Sequence, residues 1–169
     1  MELGPGPVNG EAFDIRHLED FTYLPKNSAH AERPHRHNFH ELIWVRAGKG
    51  QQEIDGQKFQ VEPLNFYLIA QGQVHQFLKA ESVDAYVVRF TDDFRPADHE
   101  ESKLHFIDVM FNNVRTIPVL QIDPDQVAMF DSLFSMIMRE YEAPEAFGGQ
   151  AVLRHLLYVS LIKIGQAIG

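Results

Sequence analysis

Four residues in this chain have the side chains and spacing to converge on one point: His35, His37, Glu41 and His75. Two histidines at i and i+2 on an extended strand project from the same face, and Glu41, four residues further on, keeps that parity. His75 follows the turn Gln71-Gly72-Gln73-Val74 and can enter the same cavity from a second strand. Three imidazoles and one carboxylate suit Zn, Fe, Mn, Ni or Cu by ligand type, and would leave coordination positions open for water or a ligand. The same side chains can instead line a polar pocket, satisfied by hydrogen bonds among themselves and to a ligand. The sequence leaves both open. The pattern fixes no cofactor, and a divalent Zn, Ni, Fe or Mn ion is compatible.

The neighbours follow the same alternation. Ile43 shares the parity of Glu41 and, with Val45, is expected to line the interior. His40, Leu42 and Trp44 have the opposite parity and are expected to pack outward, under other elements. Phe77 has the parity of His75 and can wall the pocket with an aromatic face. Arg33, just ahead of the motif, can anchor an anionic or hydroxylated ligand, or simply be a solvated loop residue. In the stretch from Ala85 to Phe90, alternation alone does not decide whether Tyr86, Val88 and Phe90 or Ala85 and Val87 face in. His17, His30, His99, His105 and His155 show no paired spacing and read as surface or structural.

Positioning such a site needs a β framework, and the chain has one. Residues 1–10 hold Pro5, Pro7 and three glycines and are expected to form an arm. From Ala12 to Phe90 the chain reads as short strands separated by turn signals. His40 to Arg46 precedes Gly48-Lys49-Gly50, and Gln51 to Ile54 meets Gln57 to Val61 across Asp55-Gly56. That dipeptide signals a two-residue hairpin whose central residues both need positive φ. Phe66 to Ala70, His75 to Lys79 and Val83 to Phe90 continue a series typical of a sandwich or barrel. Residues 91–122 are mixed. Asp123-Pro124 then marks a helix start, with Phe130, Leu133, Phe134, Ile137 and Tyr141 at helical spacing. After Pro144 and Gly148-Gly149, a second helix is expected over 150–164. The division is an arm over 1–10, a barrel with its following connection over 11–122, and a helical hairpin over 123–169.

The last helix is apolar beyond one stripe. Leu153, Leu157, Leu161 and Ile164 line one side, and Val152, Leu156, Val159 and Ile162 widen it. A surface helix needs a stripe of only about 100°. Either neighbouring loops cover the excess or a second subunit does; the second reading makes Leu153, Leu156, Val159 and Ile162 a dimer interface.

Composition narrows the classes of function. At 169 residues the chain suits one domain with a real core. Its net charge of −9, with 15 basic against 24 acidic residues and no basic run, argues against duplex DNA binding by this segment alone. No apolar run is long enough to span a bilayer, and the N-terminus does not read as a signal peptide. The absence of cysteine excludes disulfides and thiolate metal sites and fits the cytoplasm, the expected location.

The pattern His35-x-His37-x-x-x-Glu41 followed by Gly48 resembles the first motif of the cupin superfamily, and Gly72-x-x-His75 resembles the core of the second, with Ala70 where proline is usual. The longer string from His35 to Gly56 resembles the N-terminal sensing domain of AraC-family transcriptional regulators. The resemblance covers Arg33 to Phe90 by motif and the two helices by order. It implies a mainly β fold, a double-stranded β-helix barrel with two C-terminal helices. It also implies a small-molecule effector in the barrel, a helical homodimer interface and an arm that closes over the ligand. The family's paired helix-turn-helix units are absent from this chain, so DNA would be reached only through a further domain. A sugar, a carboxylate or another polar metabolite fits the pocket chemistry. The competing reading is a small metal-dependent cupin enzyme, a dioxygenase or isomerase, with His35, His37, Glu41 and His75 as ligands. It is the less favoured, because no second acid–base pair stands at readable spacing.

Overall fold

The computed structural model describes residues 12–20, 35–36, 39–91, 94 and 118–168. Seven strands make one antiparallel sheet: β1 (Phe13–His17), β2 (His35–Arg36), β3 (His40–Ile54), β4 (Gln57–Val61), β5 (Asn65–Ile69), β6 (Val74–Phe90) and β7 (Val119–Gln121). The sheet runs β1-β6-β3-β5-β7, with β2 also on β6 and β4 also on β3. Two helices follow, α1 (Val127–Tyr141) and α2 (Gly149–Ile168). The mainly β architecture with two C-terminal helices, read from the strand pattern, is the one observed.

Three local features depart from the sequence reading. β3 and β6 are each one long strand where the glycines and turn formers suggested two short ones. The chain bends instead of breaking: the β3–β6 register shifts between Val45 and Ala47, between Ala47 and Lys49, and between Gln51 and Gln52. Bulges of this kind add residues to one strand and increase its local twist. Gly48 sits in one with φ +88°, where a Cβ would collide with the Ser82 carbonyl, so glycine is required there. The start of α1 differs too. Pro124–Gln126 form a 3-10 turn, and Asp123 makes no side-chain capping bond. Finally, α2 extends past both ends of the expected 150–164. The Asp55-Gly56 hairpin has the expected positive φ at both residues, 50° and 81°.

Both faces of the sheet are buried, which explains the near-continuous apolar runs. One face carries Leu42, Trp44, Phe66, Leu68, Tyr86, Val88 and Phe90 against Phe130, Phe134 and Ile137 of α1 and Leu153, Leu157, Leu161 and Ile164 of α2. The other encloses Ile43, Val45, Ile54, Val61, Tyr67, Ile69, Phe77, Ala85 and Val87. Tyr86, Val88 and Phe90 therefore face the helices, and Ala85 and Val87 face in. Among the described residues no helix is long and apolar enough to cross a membrane.

One polar clasp fixes α1 to the sheet. The indole Nε1 of Trp44, a fully buried residue, donates to Asp131 Oδ1 at 2.9 Å, and Arg46 Nε donates to the same oxygen at 3.0 Å. Removing that acceptor leaves a buried N–H unmade, at a cost of about 1–3 kcal/mol. Asp131→Ala is expected to lower the urea midpoint by a corresponding amount with an unchanged m-value. A midpoint equal to that of the wild type would show that the clasp contributes nothing.

Candidate functional site

The enclosed face holds a row of charges. Register places Asp14 of β1 opposite Arg89 of β6, and Arg89 opposite Glu41 of β3, so the three lie side by side across the sheet. All three are buried, at 0%, 1% and 1% exposure. The Arg89 guanidinium grips Asp14 with two bonds, Nε to Oδ1 at 2.8 Å and a second from Nη2 to Oδ2. Arg16 Nε stands 3.6 Å from Asp14 Oδ2 at the outer edge. The ring of Phe39 lies beneath Arg89, 5.5 Å from its charge centre. A paired, bidentate geometry is what allows such charges to be buried.

His75 joins the row at its other end. Its Nε2 lies 3.2 Å from Glu41 Oε2, with both side chains shut off from solvent. Burial pushes the Glu41 carboxyl up from an ordinary 4.5 to about 7; Arg89 pulls it down and Asp14 pushes it further up. Arg89 is already matched by Asp14, so its attraction does not offset the loss of water around Glu41. Glu41 thus changes charge near neutral pH, a property common at functional sites.

The turn ahead of His75 is braced. Gln73 Oε1 accepts from the Ala70 N–H at 2.7 Å, and Gln73 Nε2 donates to Asp55 Oδ2 at 2.9 Å. The other Asp55 oxygen accepts from the Val74 N–H at 2.9 Å. The Asp55-Gly56 hairpin and the Gly72 turn are therefore one hydrogen-bonded unit, and His75 leaves it with a fixed direction.

Of the residues singled out by sequence, the structure brings Glu41 and His75 into contact and sets Ile43 and Phe77 in the same enclosed cluster. The backbone of His35 pairs with that of His75 across β2 and β6. The side chain of His35, together with His37 and Arg33, lies outside the described residues. His40 takes the opposite face: its ring lies 5.3 Å from that of Phe90, and its Nδ1 accepts from the Gln71 N–H at 3.1 Å. Asp14 and Arg89 were not anticipated. A lone charge inside an apolar run was the available signal, as in Phe13-Asp14-Ile15 and Val87-Val88-Arg89-Phe90.

Of the candidate metal ligands His35, His37, Glu41 and His75, the side chains of Glu41 and His75 fall among the described residues. Two ligands of one ion, each about 2.0–2.2 Å from it, stand about 3 Å apart. The 3.2 Å between His75 Nε2 and Glu41 Oε2 suits two corners of such a sphere. Among the described residues no group of three or more His, Cys, Asp or Glu could hold an ion.

On the helical side, Leu153 is 3% exposed and belongs to the chain's own core, so it is not available to a second subunit. Val159 is 43% exposed, and Leu156 and Ile162 are half-buried. The candidate interface narrows to these three, with Val152 beside them.

Comparison with known proteins adds the following. A family model described as the AraC-like ligand binding domain matches residues 22–159. Among solved structures the chain is similar to KdgF from Halomonas sp., at 22% identity and a TM-score of 0.30, over 34% of this chain and 53% of that one. It is similar to the AraC-like transcriptional activator CuxR at 12% identity and a TM-score of 0.35, over 74% and 42%. For oxalate decarboxylase from Bacillus subtilis, a protein with Mn(II) centres, the figures are 18%, 0.30, 42% and 19%. The chain thus spans about half of KdgF and less than half of the other two. A search of curated protein sequences found no match.

Proposed function

Because this chain belongs to the AraC-like ligand binding domain family, we propose that it is the effector-sensing and dimerisation part of a cytoplasmic transcriptional regulator. The effector is a small polar molecule bound inside the barrel of residues 11–122. The helical hairpin of 123–169 pairs two copies, and DNA is reached through a helix-turn-helix domain outside these residues. The observation that carries this reading is the buried Asp14–Arg89–Glu41–His75 row on the enclosed face, beside a largely apolar cluster. Burying four ionisable groups costs free energy, and a polar ligand site is a reason to retain them.

Effector binding shifts an equilibrium only if it favours one arrangement over another. Strand β3 offers a route: Ile43 and Val45 face the interior, while Trp44 between them is clasped to α1 through Asp131. A ligand that moves β3 therefore acts directly on the helices. Differential scanning fluorimetry with monosaccharides, small carboxylates and small neutral polar molecules tests for an effector. A concentration-dependent rise in melting temperature with one of them is expected, and no response across all three groups would count against the reading.

The dimer has its own test. Val159→Asp is expected to turn a dimer into a folded monomer, because it places a charge in the exposed apolar strip of α2. Sedimentation of the wild type as a clean monomer at tens of micromolar would withdraw the dimer.

A metal-dependent enzyme is the second reading, favoured by the 3.2 Å between His75 Nε2 and Glu41 Oε2. Those atoms would supply two donors, with His35 and His37 as the others, and the ion would activate a bound water or substrate. Metal analysis of protein purified without added metal separates the two: stoichiometric Fe or Mn with turnover favours the enzyme.

A further inference from the structure

We infer that Gln52 reads the effector, its carboxamide bonding an uncharged ligand that presents a donor and an acceptor on neighbouring atoms. The inference rests on the effector-sensing reading and names the chemistry of the ligand. Gln52 is 0% exposed, and neither its Nε2 nor its Oε1 has a hydrogen-bond partner among the described residues. A carboxamide offers two donors and two acceptor lone pairs, and buried polar groups in folded proteins are almost always satisfied. The other buried amides among the described residues obey that rule. Gln73 is bonded at both ends, and Asn65 Nδ2 donates to the Tyr67 hydroxyl. Gln52 stands apart from them.

Its position fits a ligand contact. Gln52 pairs with Phe77 on β6 and with Phe59 on β4, so two aromatic residues flank it on neighbouring strands. Two pairs along, Ile54 opposes His75, which makes His75 the diagonal neighbour of Gln52 on the same face. Diagonal neighbours stand about 7–8 Å apart along the backbone, within reach of long side chains, so one small molecule can touch both. A molecule there would meet the amide at one end and the His75–Glu41 pair at the other. Arg89 is gripped by Asp14 and Glu41 carries acidic character, so the interior is poorly suited to an anion. A planar amide pairs best with an amide or lactam, and a vicinal diol offers the same donor–acceptor pairing in another form.

The test uses the full chain and its Gln52→Met variant, an apolar replacement of similar length. Thermal unfolding is followed alone and with nicotinamide, 2-pyrrolidone, D-xylose, benzoate and succinate. Without a probe, the variant is expected to melt about 2–8 °C above the wild type, because it removes an unmade pair of hydrogen-bonding groups. The neutral amides are expected to raise the wild-type melting temperature and to bind the variant at least tenfold more weakly. A D-xylose response alone would assign the diol form of the same chemistry. A variant that melts lower than the wild type, or does not fold, makes Gln52 a structural residue and overturns the inference while leaving effector sensing intact. Equal probe affinities in both proteins, or a wild-type response to the anions only, also overturn it. No response to any of the five, even beside a raised melting temperature, counts against effector sensing itself and removes the ground of the inference.

Discussion

Replacing Arg89 with methionine is expected to destabilise the protein by about 3–5 kcal/mol, the usual cost of removing one partner from a buried ion pair. Asp14 has 0% exposure and accepts two bonds from Arg89, so the variant strands a carboxylate in an apolar interior. The nearby Arg16 is 3.6 Å away, with a side chain 36% exposed, and replaces little of what is lost. The double variant Asp14→Leu, Arg89→Met is expected to recover most of the deficit, since an apolar pair of similar volume needs no compensation. Urea unfolding of the two singles and the double gives the coupling directly. Single variants that add without interaction would show that the pair is not held as the geometry places it.

The second large effect is on pH dependence. Glu41 has an ordinary value of 4.5 that is raised to about 7 in the folded chain. Below 4.5 the carboxyl is protonated in both folded and unfolded chains. Between 4.5 and 7 the folded chain holds a proton that the unfolded chain has lost, so stability falls as pH rises. Above 7 the whole penalty is present, on the order of 3 kcal/mol for a shift of this size. Glu41→Gln keeps the shape and removes the titration. Measured with a chelator present, the variant should match the wild type near pH 4.5 and exceed it by about 2–3 kcal/mol at pH 8. Parallel pH profiles for the two proteins would mean that Glu41 is not desolvated as described.

Much of this was legible in the chain before its coordinates. Strand parity grouped Glu41 with Ile43 and His75 with Phe77, all on the enclosed face, and put Trp44 under the helices. Asp55-Gly56 marked its hairpin, because few dipeptides tolerate two positive φ values. What alternation could not carry was the effect of the bulges. Counting in twos from Glu41 along β3 sends Gln51 and Glu53 inward. The register shifts reverse that, so Gln52 and Ile54 oppose Phe77 and His75 on the enclosed face. Gln52 was hidden by this reversal. Arg89 and Asp14 were hidden for another reason: each is unremarkable alone, and only the pairing of strands 75 residues apart in sequence makes them one unit.

Trp44 is the only tryptophan in the chain, and its indole is at once shielded from water and hydrogen-bonded to α1 through Asp131. The protein therefore carries its own optical gauge. An indole in a dry setting emits at shorter wavelength than one in water, so sliding or lifting of α1 would shift the emission to the red without any label. Titrating a ligand while watching one wavelength ratio would report, in real time and on unmodified protein, whether what happens inside the barrel reaches the helices.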